Sequence, residues 1–156
     1  MSIEKVKAFM SERGFGDRVR EFEVSSATVE LAAAALGCEG CRIAKTLSFA
    51  IGERTVLVVA AGDARIDNPK YKAFFCAKAK MLAHEEAPLR VGHAVGGVCP
   101  FAVNEGVEVY LDESLKRFET VFPACGSSNS AIELTLAELE SLTAPSKWVD
   151  VCKLPE

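Results

Sequence analysis

The chain has 156 residues, 49% of them hydrophobic and 26% charged, with a formal net charge of −4. That size suits one domain with a substantial core, and the balance excludes a disordered chain. The mild acidity excludes a wide, indiscriminate nucleic-acid surface, and apolar runs such as "VLVVAA" at 56–61 are far too short to span a bilayer.

The opening "MSIEKVKAFMSERGF" has charges throughout and lacks the apolar centre of a signal peptide, so a cytoplasmic location is expected. Ser2 is suited to cap a first helix whose Ile3, Val6, Phe9 and Met10 share a face, with Gly14 at its end. A short strand at 18–24 leads to a helix at 28–36, stopped by Gly37. "CRIAKTLSFAI", at 41–51, then alternates strictly, as a half-buried strand does, since successive side chains leave the pleat on opposite faces. Gly52-Glu53 predicts a hairpin to "RTVLVVAAG", which is apolar without alternation and so is expected to be buried on both faces.

Pro69 suits the first turn of a helix reaching about residue 78, and a shorter helix is expected at 84–89. "VEVYL" and "ETVFPAC" read as strands, and the turn "GSSNS" leads to another, "AIELT". Thr135 and Glu138 have capping-box spacing before the helix "LAELESL", and "KWVDVC" is the last strand. About seven strands and five helices in this order make hairpins and β-β-α runs commoner than β-α-β units. The expected class is α/β in the broad α+β sense: one domain over 1–156 with a mixed, curved, barrel-like sheet and flanking helices.

Lys45 is the anomaly, because it occupies the large, apolar face of its strand with Ile43, Leu47, Phe49 and Ile51. Either its stem packs on these neighbours while the ammonium snorkels to water, or it points into an apolar-walled cavity and meets a ligand. "GHAVGGVCPFAV" is the second informative stretch. Its paired glycines and Pro100 suit a rigid shelf of backbone N–H groups able to hold a carbonyl or an oxyanion, although a tight turn explains them as well. The polar turn "GSSNS" at 126–130 needs no function of its own.

Six cysteines are present, and Cys38 with Cys41 forms a CxxC. No second pair completes a zinc site, His84 and His93 lack ligand spacing, and the motif follows a helix rather than opening one. No metal or organic cofactor is expected. Cys99 beside Pro100 is a candidate nucleophile only if a base is close. The stretch 65–80 holds five basic residues, Arg65, Lys70, Lys72, Lys78 and Lys80, against one acid and with three aromatics. Such a segment is either a solvated face or a local contact for a phosphate backbone.

Taken in order, "IAKTL" at 43–47, "GGVCPF" at 96–101 and "GSSNSAIEL" at 126–134 make the chain resemble the YbaK/EbsC family, the prolyl-tRNA-synthetase-associated domains and free-standing ProX-like proteins. The resemblance covers nearly the whole chain. It implies an editing pocket on a mixed, barrel-like sheet, in proteins that deacylate mischarged tRNA in trans or within a synthetase. The family's functional lysine falls on Lys45, and its Gly-x-x-x-Pro loop on Gly96, Gly97 and Pro100. Substrate contacts are then expected from Val98, Cys99, Phe101, Gly126, Ser127, Ser128 and Asn129, and tRNA contacts from the five basic residues of 65–80. The implied partner is the 3′ end of an aminoacylated tRNA, with a synthetase as a further candidate. Ala131 stands where cysteine-editing relatives carry an acid, and Ala102 where many members have glycine, so amino-acid specificity is left open. So is the role of Lys45, as positioning cation or as base, with positioning favoured. The rival readings are a binding module using the same pocket without turnover, and a thiol enzyme built on Cys99 or the CxxC.

Overall fold

The computed structural model describes residues 2–94 and 96–155, the side chain of Ser2 excepted, so the expected Ser2 cap lies outside the described residues. Helix α1 (Ser2–Glu12) buries Val6 and Met10 completely and packs Ile3 and Phe9 against the core. Gly14, at φ +83°, turns the chain away after it. The expected strand at 18–24 shrinks to β1 (Arg20–Glu21), preceded by a single 3-10 turn. Helix α2 (Val29–Leu36) starts where the Thr28 hydroxyl accepts from the Leu31 N–H at 3.2 Å, and ends at Gly37 with φ +69°. Each end is thus closed by a residue suited to it.

Strands β2 (Ile43–Ile51) and β3 (Arg54–Ala61) form the predicted antiparallel hairpin, Ile51 facing Arg54 across the turn. Every residue of β3 after Arg54 is buried. Its parallel neighbour is β5 (Glu108–Asp112), which in turn pairs in parallel with β9 (Ser146–Val149). On the other side β2 meets β6 (Thr120–Pro123) in parallel, and β6 carries β8 (Leu134–Thr135) antiparallel. The sheet order is therefore β8-β6-β2-β3-β5-β9, a mixed sheet curled into a half-barrel.

Several elements are shorter than their sequence patterns. Helix α3 (Asn68–Phe75) stops before Lys78 because Cys76 takes φ +58°. Buried Tyr71 and Phe75 pack their rings against Phe49 and Tyr110, the Phe75–Tyr110 pair edge to face, and the chain beyond turns onto the edge of β2. There Ala50 N–H donates to Lys80 O and Leu82 N–H to Ser48 O. The next helix, α4, is confined to Ala87–Arg90. "AIELT" splits into β7 (Ser130–Ala131), which pairs with β1, and β8. "KWVDVC" splits into β9 and β10 (Cys152–Lys153), the latter antiparallel to β4 (Arg65–Ile66). The break follows from the buried carboxylate of Asp112, which accepts the Val151 N–H at 3.0 Å and the Ser114 N–H at 2.8 Å. Helix α5 (Leu136–Leu142) has the full Thr135–Glu138 capping box. The described residues thus hold ten short strands rather than about seven, with five α-helices. None of those helices is long and apolar enough to cross a membrane.

Candidate functional site

The edge of β2 has two different partners. Ile43 and Ala44 pair with Phe122 and Pro123 of β6, where that strand ends, and Ser48 to Ala50 are taken over by 80–82. Between them lies a cavity of about 130 Å³, bounded by Lys45 and Thr46 of β2, the start of α2, Gly96 and Val98 of the glycine loop, and Ala124, Ser130 and Ala131. The Thr46 hydroxyl is buried in its wall with no hydrogen-bond partner among the described residues.

Lys45 is half-buried, and its ammonium donates to Gly62 O at 3.3 Å and to Ala64 O. Both carbonyls belong to the turn between β3 and β4, so the lysine neither snorkels freely nor lies unpaired. Burial pulls its pKa below the ordinary lysine value, opposed by the Cys152 thiol and the Asp63 carboxylate and reinforced by Arg65. Asp63 is itself held by Arg117 in a two-pronged ion pair, and its carboxyl titrates below the usual range chiefly for that reason.

The two glycine-bearing motifs meet. Gly96 has φ +96°, which side chains other than glycine rarely adopt. A Cβ on Gly97 would lie 2.7 Å from Gly126 C and 2.8 Å from Gly126 O and from Ser127 Cα. The 96–100 loop therefore rests backbone to backbone on the start of the polar turn. That turn is fixed in its own right: Ser128 O accepts from Ser26 N–H at 2.6 Å, Asn129 O accepts from Phe22 N–H at 2.7 Å, and the Asn129 amide donates to Phe22 O at 2.8 Å. The Ser127 hydroxyl lies 2.7 Å from that of Ser130.

Some expected site residues take other places. Cys99 and Phe101 do not line the cavity. Both are fully buried, Phe101 facing the Phe9 ring of α1, so they anchor the loop from the core. Pro100 is buried with them. The Cys99 thiol is pushed up to about 12 by burial, and the His93 Nε2 that lies 3.6 Å from it is committed to Phe101 O. That arrangement leaves Cys99 no base and opposes a thiolate nucleophile. Gly126, Ser127 and Asn129 support the cavity rather than line it, and Ser128 is exposed beside Gly96. Thr46, Ser26, Thr28 and Ser130 do line it and were not expected as site residues, although Thr46 falls within "IAKTL" and Ser130 within "GSSNS".

Cys38 and Cys41 lie in the turn joining α2 to β2, their thiols raised mainly by burial. No group of three or more histidine, cysteine or acidic side chains among the described residues could hold a metal. The basic stretch is dispersed. Arg65 is exposed opposite Lys153, Lys70 is bonded to Asp150 and to Cys152 O at 3.0 Å each, and Lys72 and Lys78 flank an open groove. Lys80 is exposed beyond α3.

Four similarities bear on this arrangement. Across 98% of both chains the sequence is 53% identical to the uncharacterized protein YwhH of Bacillus subtilis. A stretch of 73 residues, 46% of this chain, is 36% identical to 13% of the proline–tRNA ligase of the same organism. In structure, the chain matches a crystal structure described as a candidate trans-editing enzyme for prolyl tRNA synthetase, with a TM-score of 0.87, 31% identity and 97% coverage of both. The family pattern for aminoacyl-tRNA editing domains spans residues 23–142, which takes in the Lys45 strand, the glycine loop and the turn beneath it. With that pattern over most of its length and those features around one cavity, the chain belongs to the aminoacyl-tRNA editing domain family.

Proposed function

We propose that the protein is a trans-editing deacylase, hydrolysing the ester that joins a wrong amino acid to the 3′ end of a tRNA. One observation carries this reading: a small cavity has a half-buried lysine and a glycine-shaped backbone loop in its walls. An aminoacyl ester is already activated. Cleaving it requires the acyl group oriented, the developing oxyanion stabilised and a nucleophile admitted, without a strong protein nucleophile. The cavity, about 130 Å³, is well under the roughly 300–1,000 Å³ of clefts that enclose drug-sized ligands. It therefore takes the amino-acid side chain and leaves the terminal adenosine at its mouth.

In this reading Lys45 positions the substrate. Its ammonium exchanges a backbone carbonyl for the ester or the adjacent phosphate when substrate enters. Gly96, Gly97 and Pro100 shape the loop that bounds the oxyanion's position, the Gly97 N–H itself donating to Ala94 O at 3.0 Å, and Val98 contributes to the acyl pocket. The nucleophile is water, or the substrate's own 2′-hydroxyl or side chain. Arg65, Lys72, Lys78 and Lys80 are the tRNA contacts of this reading, whereas Lys70 is already engaged by Asp150. A synthetase is the natural neighbour of such an activity.

The test is a panel of correctly and incorrectly charged tRNAs, with Lys45→Ala alongside. Hydrolysis of one mischarged species, lost in the folded mutant, is the expected result. A fully active Lys45→Ala removes the central role assigned to this residue. No hydrolysis by folded wild-type protein across the panel leaves a binding module as the better description.

A further inference from the structure

The segment that carries the glycine loop is closed by two rungs. The outer one is backbone: Asn104 N–H donates to Val91 O at 2.8 Å, supported by the Asn104 amide on Leu89 O at 2.9 Å. The inner one is a side chain. His93 is fully buried, and its Nε2 lies 2.7 Å from Phe101 O. A carbonyl can only accept, so Nε2 carries the proton and Nδ1 carries the lone pair. Nδ1 is buried without a hydrogen-bond partner among the described residues. Between the two ends of this rung stand Gly96, Gly97 and Val98.

We infer that His93 is a positioning residue for the editing reaction: its Nε2–H bond to Phe101 O holds the two arms of the loop together and so fixes the backbone of Gly96 and Gly97 at the cavity. The inference deepens the deacylase reading, and its catalytic arm rests on that reading. Burial keeps the imidazole below its ordinary pKa, with Lys5 of α1 acting in the same direction and the Phe101 carbonyl opposing. Burial thus favours the neutral ring, whose Nε2–H still donates to this carbonyl. The nearby Cys99 thiol, 3.7 Å from the same carbonyl, makes at most a weak second contact.

The test compares His93→Leu, which fills the space without a donor, with His93→Gln, whose amide N–H can reach the carbonyl. Three quantities are read: melting temperature, hydrogen exchange at the Gly97 amide, and kcat and KM on the aminoacyl-tRNA that the wild type hydrolyses. In His93→Leu, Gly97 exchange is expected to quicken at least about tenfold and kcat to fall about 10- to 100-fold, with KM within about threefold. His93→Gln is expected to recover most of both. Wild-type exchange and kcat in a folded His93→Leu overturn the inference, as do losses that follow melting temperature equally in both variants. If His93→Leu does not fold, the ring ¹⁵N shifts of the wild type decide. Protonation at Nε2 supports the tie, and protonation at Nδ1 alone overturns it. A wild type that hydrolyses no ester refutes the deacylase reading, while Gly97 exchange still decides for or against the tie.

Discussion

Gly97→Ala tests the contact on which the loop geometry depends. The added methyl would lie 2.7 Å from Gly126 C and 2.8 Å from Gly126 O, with backbone rather than a flexible side-chain tip on the receiving side. Ordinary contact begins near 3.4 Å, so one of the two segments must retreat by 3.4 − 2.7, or about 0.7 Å. Overpacking of this kind costs about 1–3 kcal/mol. At roughly 2–4 °C per kcal/mol for a domain near this size, the melting temperature falls by about 2–12 °C. A displacement approaching 1 Å at a group that orients the reacting atoms costs up to about 100-fold in rate. The expected result is thus a folded but destabilised protein with kcat for deacylation down about 10- to 100-fold, read by thermal unfolding and single-turnover hydrolysis. An alanine variant with wild-type melting temperature and kcat would refute the backbone-on-backbone contact and the role given to the loop.

Further outcomes follow from the site and its supports. Below its lowered folded pKa, Lys45 is charged in both states and its burial cost is fully present. Between that pKa and the unfolded value of 10.5 the unfolded chain binds more protons, so stability relative to Lys45→Met rises with pH, which urea melts across that window would detect. Over the same window a positioning cation makes Lys45-dependent hydrolysis decline, whereas a general base makes it increase, once the Lys45→Ala background is subtracted. Thr135→Ala removes the cap of α5 and is expected to cost about 0.5–2 kcal/mol by denaturant unfolding. Glu138, which completes that cap and pairs with Arg18, titrates near about 2. Its folded pKa is depressed, so its contribution is present above the unfolded value of 4.5 and is lost as pH falls towards about 2, a loss absent from Glu138→Gln. Under native conditions iodoacetamide is expected to modify exposed Cys76 well before buried Cys99 and Cys125, with hydrolysis retained. Rapid loss of activity on Cys99 alkylation would restore the thiol mechanism.

Features controlled by neighbouring residues in the chain were legible in the sequence. The Gly37 stop of α2, the Thr135–Glu138 capping box and the Gly52-Glu53 hairpin each depend on groups a few residues apart, and each stands where its pattern put it. The unbroken apolar run of β3 announced burial on both faces for the same reason, since a side chain's partition between water and core is largely its own property. Lys45 stood out as a cation in an apolar row. What it touches did not, because Gly62 O and Ala64 O come to it only through the hairpin and the turn after it.

The remaining features needed contacts between distant segments. Alternation made the second face of β2 look open, yet Ala44 and Ser48 are buried on it. Cys99 and Phe101 share a motif with Gly96 and Val98, but backbone direction turns the first pair into the core and leaves the second at the cavity. No local pattern announces that Gly97 rests on Gly126, that His93 bonds Phe101 O, or that Ser26 and Ser130 line the same space as Lys45. Short-range steric preferences and hydrophobic periodicity act along the chain and can be read there. A cavity is the space left where separate segments fail to meet, so its walls were decided only when the sheet had curled and the two glycine turns had been pressed together.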